Sequence, residues 1–220
     1  AERGPTLINR WAGWHTEARG LHAGQALFEE KGPGGTFRIE VLNPVAGSAQ
    51  ERNFDNGSLV LRIVYGDFAM LLTGDLQHDG EAVLAARYPA AALKANVMTL
   101  PHRGAALGDA GGDFKLVMRS SLDRELGALM DKVQPERVVA EWGNPRPVLG
   151  LVSREAVNAF ELTRQFVVNR VGAAGWLSTD HDLAILLSSD GKTYDIATQA
   201  EANRAAGGTE DAVADIAVGL

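Results

Sequence analysis

Apolar and polar residues alternate with the period of a β-strand at several places in the first half of the chain. Residues 37–41 place apolar side chains at every second position, which predicts a half-buried strand. Residues 59–65 and 68–72 predict two strands of a hairpin that turns at Gly66 and Asp67. The second of these is almost wholly apolar, which indicates a strand covered on both faces.

Helical patterns are interleaved with further strands. An alanine-rich stretch at 81–93 predicts a helix. A second helix is predicted at 122–133, where one stripe is apolar and consists of Leu122, Leu126, Leu129 and Val133. Strands are predicted at 95–100 and 136–142. A helix capped by Ser153 is predicted through residue 165, and a hairpin at 183–196. Strands that alternate with helices in this way favour a layered α/β fold.

This pattern divides the chain into three parts. Residues 1–36 lack a clear periodicity and are expected to be irregular, with a turn at the glycine-rich cluster 32–35. Residues 37–198 are expected to form one domain. Residues 199–220 are rich in Ala, Gly and acidic residues, which predicts a weak helix or a flexible tail.

Composition narrows the classes of protein. The 220 residues are 45% hydrophobic and include no cysteine, so any metal must be held by His, Asp or Glu side chains. No apolar run is long enough to span a membrane, and a cytoplasmic location is expected. The net charge is −7, so a nucleic-acid substrate would require a local basic patch, a bound metal or a partner.

Two strand ends carry the candidate chemistry. The strand at 68–72 leads into Thr-Gly-Asp, which ends at Asp75, and the strand at 95–100 leads into Pro-His, which ends at His102. Ligands of α/β sheets collect at the carboxyl ends of strands, so both side chains are expected at one edge. A carboxylate and an imidazole suit Zn²⁺, Mn²⁺ or Fe²⁺. The plain alternative is a turn or helix-capping role for each residue.

Five short sequences, taken in order, resemble the metallo-β-lactamase-fold domain of the ComEC-type competence proteins. They are Val-Leu-Asn-Pro at 41–44, Asn-Gly-Ser-Leu-Val-Leu at 56–61, Tyr-Gly at 65–66, Leu-Leu-Thr-Gly-Asp at 71–75 and Leu-Pro-His-Arg-Gly at 100–104. The resemblance spans residues 20–197. It implies an αββα sandwich, of which this chain is the second half. Asp75 would match the carboxylate that bridges two metals, and His102 a conserved histidine.

The chain departs from that family pattern in three ways. The leading ligand motif H-x-H-x-D-H is absent. The motif P-H-H-G-S is represented by Pro-His-Arg-Gly-Ala at 101–105, so Arg103 replaces the second histidine. Where the family often has G-H-P, this chain has Asn144 in place of the histidine. Asp75 and His102 alone are too few ligands for a two-metal site.

The resemblance implies a metal-dependent hydrolase, a nuclease or phosphodiesterase that uses water activated by two Zn²⁺ or Mn²⁺ ions. We expect it to act on DNA or RNA only together with a complementary N-terminal half, a separate chain or a cleaved fragment, that carries H-x-H-x-D-H. The first residue, Ala1, is compatible with a cut or a split gene. A degenerate, non-catalytic binding or regulatory module is the first alternative, and a lactonase or other ester hydrolase is the second.

Three further residues are candidates for substrate binding. Arg103 is a candidate to contact a phosphate bidentately, and its plain alternative is a solvated loop position. Asn144 stands where the family has a histidine. His181 precedes a predicted strand and is either a late ligand or acid group, or a residue of a capped turn.

Overall fold

The computed structural model describes residues 20–48, 55–104, 120, 122–141 and 154–205. A mixed seven-stranded sheet passes through them in sequential order, with β1 to β4 antiparallel and β4 to β7 parallel. Its strands are Ala26–Gly32 (β1), Gly35–Asn43 (β2), Val60–Tyr65 (β3), Phe68–Leu72 (β4), Val97–Thr99 (β5), Arg137–Ala140 (β6) and Trp176–Ser178 (β7).

A second, two-stranded antiparallel sheet is formed by Ile185–Ser189 (β8) and Tyr194–Thr198 (β9). The helices are His78–Arg87 (α1), Ala90–Leu93 (α2), Gly127–Val133 (α3), Arg154–Val171 (α4), Thr179–Asp182 (α5) and Gln199–Ala205 (α6). A π-helical turn, Leu122–Leu126, leads into α3. Among the described residues, no helix is both long and apolar enough to cross a membrane.

The helices cover one face of the large sheet. The side chains of this interface alternate along each strand, so that Leu71, Met98 and Val138 face the helices and are fully buried. From the helices they meet the predicted stripe of Leu122, Leu126, Leu129 and Val133, together with Leu84 and Leu93. The predicted α/β layering is confirmed by this arrangement.

The β8–β9 hairpin covers part of the opposite face. Ile185, Leu187, Tyr194 and Ile196 of the hairpin pack on Phe68, Met70, Val97, Val139 and Leu177 of the sheet. The resulting order of layers is helices, sheet, hairpin. The hairpin lies over β4 to β7 and leaves the rest of this face without a described layer.

Three turns meet at the tip of this hairpin with backbone packed on backbone. A side chain at Gly34, Gly66 or Gly191 would overlap main-chain atoms of a neighbouring turn. The amide of Asp67 donates a 2.6 Å hydrogen bond to the carbonyl of Gly191, which fastens the hairpin tip to the β3–β4 turn. Gly66 and Gly191 also have positive φ angles of 57° and 90°, which glycine adopts without steric cost.

The uncovered part of the sheet is apolar. Pairing across β1, β2 and β3 places Phe28, Ile39 and Ile63 on the same side as Met70. Phe28 is 44% exposed, and Ile39 and Ile63 are partly exposed and lie outside both core clusters. We call this surface, formed by Phe28, Phe37, Ile39, Leu61 and Ile63, the open face.

The reverse side of the same strands carries charges. The side chain of Glu40 pairs with Arg38 at 3.2 Å and with Arg62 at 3.2 Å. A sheet whose free side faced only water would have the opposite distribution, with apolar residues toward the helices and charges outward. The pattern therefore indicates that the open face is built to be covered.

Several elements differ from the sequence-based predictions. The segment 1–36, expected to be irregular, contains β1, whose exposed residues lack alternation because it is an edge strand. The predicted helix at 81–93 is two helices, since Pro89 breaks the backbone after Tyr88. From residue 199 a weak helix was one of the two predicted alternatives, and α6 lies there with Ala200 buried. Residues 206–220 and Ser153 lie outside the described residues.

Candidate metal edge

The parallel strands β4 and β5 end side by side, and buried threonines tie their ends together. The amide of Thr73 donates to the Oγ1 of Thr99 at 2.9 Å, and the Oγ1 of Thr73 donates to the carbonyl of Thr99 at 2.9 Å. Both side chains are almost inaccessible to solvent. These bonds fix the relative position of the two loops that follow.

A backbone hydrogen bond joins those loops. The amide of His102 donates to the carbonyl of Gly74 at 3.0 Å, which places the Pro-His turn against the Thr-Gly-Asp turn. His102 and Arg103 both adopt left-handed conformations, with φ angles of 44° and 59°. Such a conformation costs a non-glycine residue about 1–3 kcal/mol, and residues held in it cluster at functional sites.

The carboxylate of Asp75 reaches solvent at this edge. Its side chain is 47% exposed, and its Oδ1 lies 3.8 Å from the Nε of Arg103, whose side chain is 63% exposed. An ion pair at this distance and exposure contributes little stability, so Arg103 is able to turn toward another anion. Asp75, His102 and Arg103 are thus brought together at one edge, as the sequence predicted.

The imidazole of His102 has an unusual surrounding. Its Nδ1 is buried and has no hydrogen-bond partner among the described residues. A buried polar nitrogen without a partner is uncommon in proteins and is found where a ligand, ion or water completes the site. This nitrogen is the strongest indication of ligand binding at the edge.

The described residues do not complete a metal centre by themselves. They contain no group of three or more His, Cys, Asp or Glu side chains arranged to hold a metal ion. Asp75 and His102 supply two donors of suitable chemistry, whereas a two-metal site needs more. Two metals therefore do not fit this part of the chain alone.

The remaining two candidates are Asn144 and His181. Asn144 lies outside the described residues. His181 lies on α5, after β7, and its exposed ring is 3.4 Å from the carboxylate of Asp182. The strand β7 ends at the same edge of the sheet but two strands from β5, roughly 10 Å away at the usual strand spacing of about 4.8 Å. His181 therefore lies at the same edge of the sheet as Asp75 and His102, but to one side of them.

A set of polar side chains that the sequence analysis did not single out holds the Asp75 turn. The Nδ2 of Asn43 donates to the carbonyls of Asn56 and Ser58, at 3.0 and 2.7 Å. The Oγ of Ser58 accepts a hydrogen bond from the amide of Asp75 at 3.1 Å, and the Oδ1 of Asn56 accepts one from the amide of Gln77 at 2.9 Å. We call Asn43, Asn56 and Ser58 the polar brace.

A buried ionisable cluster lies directly behind this turn. His78, the first residue of α1, is 3% exposed, and its Nδ1 lies 3.1 Å from the Oε2 of Glu81, which is 1% exposed. The Nε2 of His78 and the Oε2 of Glu125 are buried and lack partners among the described residues. The His-x-x-Glu spacing, one helical turn, was the available signal.

The pKa values of this pair reflect burial and mutual attraction. Burial acts to lower the pKa of His78, but the hydrogen bond and negative charge of Glu81, together with the charges of Glu125 and Asp79, outweigh it and raise that pKa. Burial raises the pKa of Glu81, and the nearby His78 opposes this only in part. The imidazolium of His78 is therefore the form that this site favours.

A comparison with profiles of known protein families finds no match. The chain is 30% identical over 165 residues to the competence protein ComA of Neisseria gonorrhoeae. That alignment covers 71% of this chain and 19% of ComA, so the chain spans about a fifth of the relative that it matches. The chain is thus a distant relative of a competence protein.

Proposed function

We propose that this chain contributes Asp75 and His102 to the active centre of a metal-dependent hydrolase of the metallo-β-lactamase type. The observation that carries the proposal is the juxtaposition of the two turns, together with the buried Nδ1 of His102, which has no hydrogen-bond partner in the described part of the chain. The similarity to ComA adds a competence-related role as part of the proposal. Phosphodiesters of DNA or RNA are the proposed substrates, and Arg103 is the group that would meet a phosphate.

The complete centre would need ligands from elsewhere, since the described residues offer too few. We propose that a complementary polypeptide, the first half of the same fold, supplies them and binds two Zn²⁺ or Mn²⁺ ions together with this chain. The open face supports this association. A monomer rarely leaves a contiguous apolar surface of more than a few hundred Å² exposed, and a flat sheet face is best covered by another sheet.

The catalytic proposal is tested with the assembled protein. Asp75→Asn should lower the bound metal, measured by elemental analysis, and abolish DNA cleavage in Mn²⁺ or Zn²⁺. Asp67→Asn, which changes an exposed aspartate at the opposite end of β4, is the matched control and should behave as wild type. Cleavage that falls steeply with salt would support a nucleic-acid substrate. Turnover of lactones or esters alone would instead make the protein an ester hydrolase.

A non-catalytic binding module is the second candidate. The approach of Arg103 to Asp75 favours it, because a cation of the chain itself already lies 3.8 Å from the carboxylate that a metal would neutralise. Absence of turnover with any metal, in an assembly that contains the complementary half, would decide for this candidate. Unchanged metal content in Asp75→Asn would also contradict the role of Asp75 as a ligand.

The proposed association is tested at the open face. Ile63→Glu places a charge at its centre and should prevent co-purification with a polypeptide that carries H-x-H-x-D-H, as judged by size exclusion with light scattering. Arg38→Gln, on the reverse side of the neighbouring strand, should leave the complex intact. The proposal is wrong if the 23.4 kDa chain alone is a stable monomer that binds two metals and turns over substrate.

A further inference from the structure

The half-exposed carboxylate of Asp75 has few contacts of its own. Its only side-chain ion pair among the described residues is the 3.8 Å approach of Arg103. The backbone of residues 74–77 therefore sets where the Cα–Cβ bond of Asp75 lies, and the carboxylate extends toward solvent from that bond. Whatever fixes that backbone fixes the group that the edge presents to a ligand.

The polar brace holds this backbone at two points. Ser58 accepts a hydrogen bond from the amide of Asp75, and Asn56 accepts one from the amide of Gln77. The residue between them, residue 76, therefore has a hydrogen-bonded neighbour on each side. Asn43 is buried and holds the carbonyls of both brace partners, which keeps their acceptor atoms in place. The brace thus connects the end of β2 to the candidate ligand turn.

Two glycines allow the brace to approach this closely. A Cβ on Gly74 would lie 3.1 Å from the Cβ of Ser58, and Gly74 has a positive φ of 60°. A Cβ on Gly80, in the first turns of α1, would lie 2.5 Å from the Oδ1 of Asn56. The turn and the helix are therefore pressed against the brace on both sides of Asp75.

We infer that Ser58, supported by Asn43 and Asn56, is a positioning residue that orients the Asp75 carboxylate for ligand binding. Partners of this kind control affinity because they hold the binding group in its productive direction before the ligand arrives. The metal-binding part of this inference rests on the proposed function. The part that concerns the orientation of the turn is independent of the proposed function.

Amide exchange measured by NMR tests the orientation directly, on the protein in the assembly in which it purifies. Ser58→Ala should speed exchange of the Asp75 amide about fivefold, the effect of losing one ordinary hydrogen bond. Ser58→Thr keeps the hydroxyl and should restore the wild-type rate. Ser189→Ala removes the hydroxyl that accepts the Gly191 amide in the β8–β9 turn, and should change exchange there but not at Asp75.

Equal exchange of the Asp75 amide in wild type and Ser58→Ala would overturn the inference. If Ser58→Ala does not fold, the same comparison is made at the Gln77 amide between Asn56→Ala and Asn56→Asp, which keeps an acceptor oxygen. Faster exchange in Asn56→Ala alone supports the brace, and equal rates overturn it.

Metal titration separates the two proposals. In the assembled protein, Ser58→Ala should weaken Zn²⁺ or Mn²⁺ binding about 10–100-fold, and Ser58→Thr should rescue it. Binding that is equally tight in wild type and Ser58→Ala would refute the positioning role while leaving the proposed function standing. A wild-type assembly that binds no metal would refute the proposed function, and the exchange rates would then decide the role of Ser58 alone.

Discussion

Removal of the charge of Glu81 should destabilise the protein far more than removal of a similar charge at the surface. Glu81 is 1% exposed and forms a one-turn helical pair with the buried His78. Taking away one partner of a buried ion pair leaves the other charge uncompensated, at a cost of about 3–5 kcal/mol in unfolding free energy. We therefore expect a loss of this size for Glu81→Gln at pH 6.

A matched control exists on α4. Glu161 and Arg164 form a pair with the same spacing, at 2.8 Å, but their side chains are 45% and 42% exposed. Exposed pairs are worth about 0–1 kcal/mol, so Glu161→Gln should have a correspondingly small effect. Burial is then the variable that separates the two substitutions.

The pH dependence of stability gives an independent check. Since the pKa of His78 is raised above 6.5 in the folded state, the folded protein holds this proton more tightly than the unfolded chain. The contribution of His78 is fully present below pH 6.5 and is lost as the pH rises through its higher folded value. The raised pKa of Glu81 acts in the same direction, and its contribution is lost over a range that begins above pH 4.5. Stability should therefore fall above pH 6.5, and Glu81→Gln should flatten that fall.

Urea unfolding followed by tryptophan fluorescence, at pH values between 6 and 9, measures both effects. Wild type, Glu81→Gln and Glu161→Gln are compared in the same assembly. Equal losses for the two substitutions at pH 6 would refute the reasoning from burial. A wild-type protein that gains stability relative to Glu81→Gln as the pH rises would refute the direction of the His78 shift.

Two further predictions concern the edge and the tail. Thr99→Val removes the acceptor of the buried Thr73 amide and should lower the free energy of unfolding in urea by about 1–3 kcal/mol. Thr99→Ser keeps the acceptor oxygen and is the control. Equal stability of the two variants would contradict this prediction. Deletion of residues 206–220 should leave the melting temperature unchanged, whereas deletion from residue 199 removes the buried Ala200 and should lower it by about 2–4 °C per kcal/mol lost. Identical melting temperatures for the two deletions would show that α6 does not contribute.

Long, strongly periodic segments were predictable from the sequence. The β3–β4 hairpin, the buried β4 and the stripe at 122–133 follow directly from apolar spacing, because each meets a large hydrophobic layer. Among the short and edge strands, β7 and β1 were not predicted. Strand β7 has only three residues, and β1 has one neighbour and no buried face, so neither carries a detectable alternation.

The site was predictable only in part. The positions of Asp75 and His102 followed from the rule that parallel strands end at a common edge. The burial of His78 was not predictable, because the packing of the π-helical turn over α1 comes from tertiary contacts that no local pattern encodes. The brace was also missed as a structural unit, since Asn43 ends β2 whereas Asn56 and Ser58 lie in the segment before β3, and only the fold brings their polar groups together.

The meeting of three turns at Gly34, Gly66 and Gly191 has a practical consequence for engineering this protein. Because main chain packs on main chain there, none of the three glycines has room for a side chain or an attached label. We expect an insertion beside any one of them to lift the β8–β9 hairpin from the sheet and to expose the apolar surface beneath it. Affinity tags and fluorophores are better placed on exposed positions of α6, at the far end of β9 from this corner.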